Sequence, residues 1–122
     1  MEQIILNLLK LQNQLRILHW QTDSYAKHEA YGNAYNSLDS LLDTFVEVYQ
    51  GKKGRLKFKT PADVTFVNND ELSIMDVLEE AATYLVTTVN DELTASLDSD
   101  CLNIRDEILS VINKLKYLLT LN

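Results

Sequence analysis

The chain has 122 residues, a net charge of −7 and 46% apolar residues, with three glycines, one proline and one cysteine. The length fits a single domain over residues 1–122, able to bury roughly 65–70% of its unfolded surface without staples. A lone cysteine excludes a disulfide framework and a four-cysteine zinc site, and the shortage of chain breakers excludes an all-β domain, which needs many turns.

No run of about 18 apolar residues predicts a membrane span. Met1-Glu2-Gln3-Ile4 lacks the basic region and small-residue cleavage site of a signal peptide. With Cys101 unpaired, the expectation is an intracellular, cytoplasmic protein. The charge is uneven: residues 51–60 hold Lys52, Lys53, Arg55, Lys57 and Lys59 and no acid, while the rest sets six basic side chains against eighteen acids, a net of −12. An acidic body disfavours DNA as a partner, except at that basic loop.

The first predicted helix runs from about Glu2 to Gln21, where Ile4, Leu8, Leu11, Leu15 and Leu18 recur at spacings of four and three. Thr22, Asp23 and Ser24 break the chain and supply cap candidates. The second helix runs from about Ser24 to Gln50 on Tyr31, Tyr35, Leu38, Leu42, Phe45 and Tyr49, and Gly51 is expected to end it. Residues 51–70 form the longest irregular stretch, with extended pieces predicted at Leu56–Lys59 and Val64–Phe66. Ser73-Ile74-Met75-Asp76 has capping-box spacing and opens the third helix, which ends near Ala95. Asp98 or Ser99 caps the fourth, where Ile104, Ile108, Ile112, Leu115 and Leu119 repeat towards the C-terminus. The predicted fold is all-α, a four-helix bundle with two short joins and a long connection between helices two and three, as in ferritin-like proteins.

Several polar residues exceed what a plain bundle needs. His19 lies at the edge of the apolar face of the first helix, beside Trp20, and His28 lies in the first turn of the second. Asp39, Asp43 and Glu47 follow at four-residue spacing on one strip, where like charges repel unless something positive lies between. Two imidazoles and two carboxylates suit a divalent first-row metal such as iron. Each also has a plainer reading: a histidine near an apolar face is usually a hydrogen-bonded core residue, and an acid pair on a long helix is usually a solvated face. Cys101 reads as an inert thiol. There is no glycine-rich phosphate loop, no Gly-x-Ser-x-Gly and no His-Glu-x-x-His, and helices three and four contain no histidine. One copy of each ligand cannot easily surround a metal from all sides; a site shared between two chains could.

Leu18-His19-Trp20, then His28-Glu29, then Asp43 fifteen residues after His28 and Glu47 four further on, resembles the Dps family of ferritin-like proteins over about residues 8–50. The resemblance implies an intersubunit ferroxidase site: His19 and His28 from one subunit, Asp43 and Glu47 from its two-fold partner, Trp20 close by, and Asp39 or Glu29 as auxiliary ligands. It implies two irons per site, with zinc as a substitute, oxidation of Fe(II) by peroxide or oxygen as a defence against oxidative stress, and iron storage in a homo-oligomer built from symmetric dimers up to a dodecameric shell. Compact relatives of this kind occur in phage as well as in cellular genomes, so the resemblance leaves the source open. The chain departs from the family in four ways: Gly32 occupies the position of an additional acid, the His19–His28 spacing of nine is about three residues short, no lysine-rich tail precedes the first helix, and the basic loop 51–60 stands where the family has an interface helix between helices two and three. A helical assembly protein without turnover, and a binding module acting through the basic loop, are the other readings of the same residues.

Overall fold

A computed structural model describes residues 1–121. Four α-helices hold most of the chain: α1 (Glu2–Gln21), α2 (Tyr25–Lys53), α3 (Ile74–Glu92) and α4 (Ser99–Leu118). Among the described residues there is no strand, and a single 3₁₀ turn occupies Asn69–Glu71. No described helix is long and apolar enough to cross a membrane.

The apolar repeats of the four helices meet in one core. Leu15, Leu18, Phe45, Leu78, Leu85, Ile108, Ile112 and Leu115 are almost wholly removed from solvent. Each contributes roughly 1.5–3 kcal/mol through burial. α1 packs on α2, α2 on α4 and α4 on α3. Polar pins at the helix ends fix the directions. Lys52, near the end of α2, reaches the Leu97 carbonyl and Asp100 in the first turn of α4, both at 2.5 Å. Gln21, ending α1, bonds Asn68 and the Asn69 N–H ahead of α3. The N-terminal ammonium pairs with Glu92 at the end of α3 at 3.5 Å, and Lys116 pairs with Glu79 across α4 and α3. Thus α1 and α4 run one way, and α2 and α3 the other.

Two boundaries differ from expectation. α2 runs through Gly51 and ends at Gly54, whose φ of +87° is the left-handed conformation that glycine tolerates. Lys52 and its acidic partners stitch down the added turn. α3 ends at Glu92 rather than near Ala95. Its start is as expected, with the Ser73 hydroxyl accepting from the Asp76 N–H. Asp98 does precede α4, but its carboxylate accepts from the Thr94 N–H at 3.0 Å instead of capping that helix.

Residues 54–73 lie against α1 and α2 without forming strands. Several of their backbone groups bond to glutamine side chains. The Leu56 N–H donates to Gln50 at 2.8 Å. The Gln14 amide donates to the Val67 carbonyl at 2.9 Å and accepts from its N–H at 3.0 Å. Phe58 and Lys59 lie beside Gln3 and Leu6.

Candidate functional site

Three residues, 22–24, join α1 to α2. The Thr22 N–H bonds the Leu18 carbonyl to close α1, and the Ser24 hydroxyl accepts from the Lys27 N–H to open α2. This tight reversal brings His19, in the last turn of α1, onto His28, in the first turn of α2. Their rings stack with centroids 3.7 Å apart and planes inclined by 17°. Each ring bonds the other residue's backbone: His19 Nδ1 to the His28 carbonyl at 2.6 Å, and His28 Nδ1 to the His19 carbonyl at 2.8 Å. A carbonyl oxygen only accepts, so each Nδ1 carries a proton, and in the neutral ring the lone pair is on Nε2. The His19 carbonyl is among the last four of α1, which have no partner within the helix, so the His28 ring also serves as a helix-end cap.

Gly32 forms the floor of the stack. A Cβ placed there would stand 3.0 Å from His19 Cε1 and 3.1 Å from its Nδ1. The Tyr35 ring meets His19 edge-on at 5.3 Å, and the Arg16 guanidinium lies over the Tyr35 ring at 4.7 Å. Tyr25 and Trp20 flank the turn and are largely exposed, at 77% and 67%.

The acidic half of the predicted site lies elsewhere. Asp39, Asp43 and Glu47 are exposed along α2 beside Leu9, Gln12 and Leu56. The Gln12 amide donates to Asp39 at 2.7 Å and relieves one of the three charges. His28 and Asp43 are separated by fifteen residues of one helix, about 22 Å at 1.5 Å per residue. Within one chain the histidines and the acids therefore do not meet. Among the described residues, no three His, Cys, Asp or Glu side chains group to hold a metal. Glu29 is exposed next to His28.

The basic stretch is partly committed within the chain. Lys52 holds Asp100 at 2.5 Å and Asp98 at 3.7 Å. Its hydrogen bond pulls the Asp100 carboxyl below the usual carboxylate range, and Asp98 is lowered first by the Thr94 N–H. Lys53, Arg55, Lys57 and Lys59 are exposed. Cys101 is fully buried, and burial raises its thiol pKa, which fits an inert residue. The sequence pointed neither to Arg16, nor to the contact of Tyr35 with His19, nor to the packing role of Gly32. The four-residue step from His28 to Gly32 is the available signal, since it places both on one helix face.

Residues 19–119 match a family of unknown function, DUF5856, and the chain belongs to that family. The matched span begins at His19 and includes His28, Gly32, Asp43 and Glu47. The chain is also similar to the uncharacterized 14.6 kDa protein in the mobD-ri intergenic region of Enterobacteria phage T4, with 28% identity over 115 residues, covering 93% of this chain and 83% of the phage protein. No solved structure matches the chain.

Proposed function

We propose that this is a Dps-like iron-binding protein that oxidises Fe(II) at sites shared between two subunits. The observation that carries the reading is the histidine pair: both Nδ1–H groups are spent on carbonyls, which leaves two Nε2 lone pairs for metal. Metal-ligating histidines characteristically donate their other ring N–H in this way. Iron is the substrate here: two Fe(II) give one electron each to hydrogen peroxide, which takes up two protons from solvent and leaves as two waters, with two Fe(III) formed.

The acids support a two-chain site. Along the α1–α2 hairpin the His19 and His28 imidazoles lie towards one end and the Asp39, Asp43 and Glu47 carboxylates towards the other. Two such faces related by a two-fold axis set each end against its opposite. Asp43 and Glu47 of the partner subunit then face His19 and His28, and one interface makes two sites. Helix order agrees with a ferritin-like bundle, since residues 54–73 carry the chain from the end of α2 to the far end of the bundle, where α3 starts parallel to α2. The phage relative is compatible with a phage origin.

Anaerobic Fe(II) titration by calorimetry, followed by peroxide, tests the reading, with sedimentation to give the oligomer. Saturable Fe(II) binding is expected, together with ferric absorbance after peroxide. Binding no greater than that of the His19→Ala, His28→Ala double variant sinks it. The reciprocal ring-to-carbonyl bonds favour a second reading, in which the pair only locks the α1–α2 turn of a non-catalytic assembly protein. In that case the double variant loses thermal stability while the parent binds no iron.

A further inference from the structure

The outer groove between α1 and α2 holds a cation and an acid that one chain leaves apart. Arg16, on α1, makes no ion pair among the described residues. Its guanidinium lies over the Tyr35 ring at 4.7 Å. Its Nε is enclosed without a partner, but its two terminal nitrogens are neither enclosed nor bonded among the described residues, and they remain free to donate.

Asp39, on α2, is exposed one helical turn beyond Tyr35. One of its oxygens accepts from the Gln12 amide at 2.7 Å, and no cation pairs with it among the described residues. Arg16 and Asp39 therefore share one face without meeting, each held in place by a neighbour of its own chain. Further along the groove Asp43 and Glu47 stand beside Leu9, Val46 and Leu56, and Leu9 is 36% exposed. At the α1–α2 turn Asp23 and Glu29 outnumber Lys27. The two ends of the hairpin thus do not attract as whole charges, and the complementarity is local to Arg16 and Asp39.

We infer that this face docks on a second copy of the chain, with Arg16 paired to Asp39 of the partner subunit on each side of the two-fold axis. The inference rests on the shared site proposed above, which sets the register. With His28 opposite the midpoint of Asp43 and Glu47 of the partner subunit, the axis passes two antiparallel α2 helices between Asn36 and Ser37. Tyr35 is then level with Leu38 of the partner subunit, one residue, or about 1.5 Å along the helix, from the partner's Asp39. Neither Arg16 nor Asp39 enters that register, yet it brings the unpaired cation over Tyr35 to the unpaired acid, twice in one interface. A guanidinium donates two parallel hydrogen bonds to a carboxylate. Tyr35 and Gln12 already position the two groups, so pairing them loses little side-chain freedom.

Sedimentation equilibrium of the full-length protein tests this with Arg16→Glu, Asp39→Arg and an equimolar mixture of the two. The parent is expected to associate. Each variant alone sets like charges at both contacts and weakens association at least tenfold. The mixture restores it, because in the heterodimer each contact again joins a cation to an acid, and a role within one chain gives no such rescue. Arg16→Gln, a milder change, weakens association about tenfold even where a charge reversal disturbs folding. A parent that is monomeric at every concentration overturns the inference and the shared site together. Variants that associate as well as the parent overturn the inference alone, as does a mixture that stays monomeric while circular dichroism shows both variants helical. Rescue in the mixture upholds the interface even where the parent binds no Fe(II), and then only the iron reading falls.

Discussion

Replacing Gly32 with alanine separates the helix's own preference from the demands of the histidine stack. In an ordinary helix interior the change stabilises by about 1 kcal/mol, because alanine has less backbone freedom to lose. Here the new Cβ falls 3.0 Å from His19 Cε1. The ring cannot retreat freely: His28 stacks on it at 3.7 Å, and its Nδ1 is held 2.6 Å from the His28 carbonyl. Displacing it costs the usual 1–3 kcal/mol of overpacking, and weakening its hydrogen bond costs about 1 kcal/mol more. The net effect is a destabilisation of about 1–3 kcal/mol, or a fall in Tm of roughly 3–15 °C at this size. Urea denaturation followed by far-UV circular dichroism measures it. The decisive comparison is the same substitution in a His19→Ala background, where the obstacle is gone and Gly32→Ala is expected to stabilise by about 1 kcal/mol. The same effect in both backgrounds refutes the reasoning.

Lys52→Met tests the pin between α2 and α4. The Asp98 and Asp100 carboxyls are held below their ordinary range in the folded chain, so their contribution is present above about pH 4 and disappears as pH falls through the lowered folded values. Lys52 itself is raised, so its share persists through neutrality and is lost only above the ordinary lysine range. The variant is expected to be less stable at pH 7 and to converge on the parent at low pH; parallel urea-midpoint profiles from pH 7 to 3 contradict this. Gln14→Ala removes both side-chain bonds to Val67, and hydrogen exchange at the Val67 amide is expected to accelerate about fivefold or more. An unchanged rate means that Val67 is held by something other than this amide.

The helices were readable because their signals are local. The four-and-three spacing of Ile4 to Leu18 places α1 over Glu2–Gln21, as found, and Ser73 caps α3 as its type suggests. The end of α2 was not readable from Gly51, because the extra turn depends on Leu97 and Asp100, some 45 residues away. Val64–Phe66 alternates like a strand but has no strand beside it, and the adjoining Val67 satisfies its backbone with a glutamine side chain. At the candidate site, the sequence placed two histidines at a turn and two acids on one helix. It did not reveal that the rings bond each other's backbone. That follows from a three-residue reversal and from the absence of a side chain at position 32, and neither leaves a periodic trace.

The connection between α2 and α3 contains slack. From the neighbourhood of Leu6, where Phe58 rests, to Gln14, where Val67 is tied, α1 advances only about 12 Å. The nine residues that cover this distance could stretch to roughly 30 Å. Lengthening such a loop costs little, about 0.6 kcal/mol for each doubling. Because Gln50 and Gln14 fix the chain on either side, added residues would bulge outward without moving a helix. The bundle can therefore vary in length at this one place, carrying new surface between the basic residues and Val67 while the core and the histidine turn stay as they are.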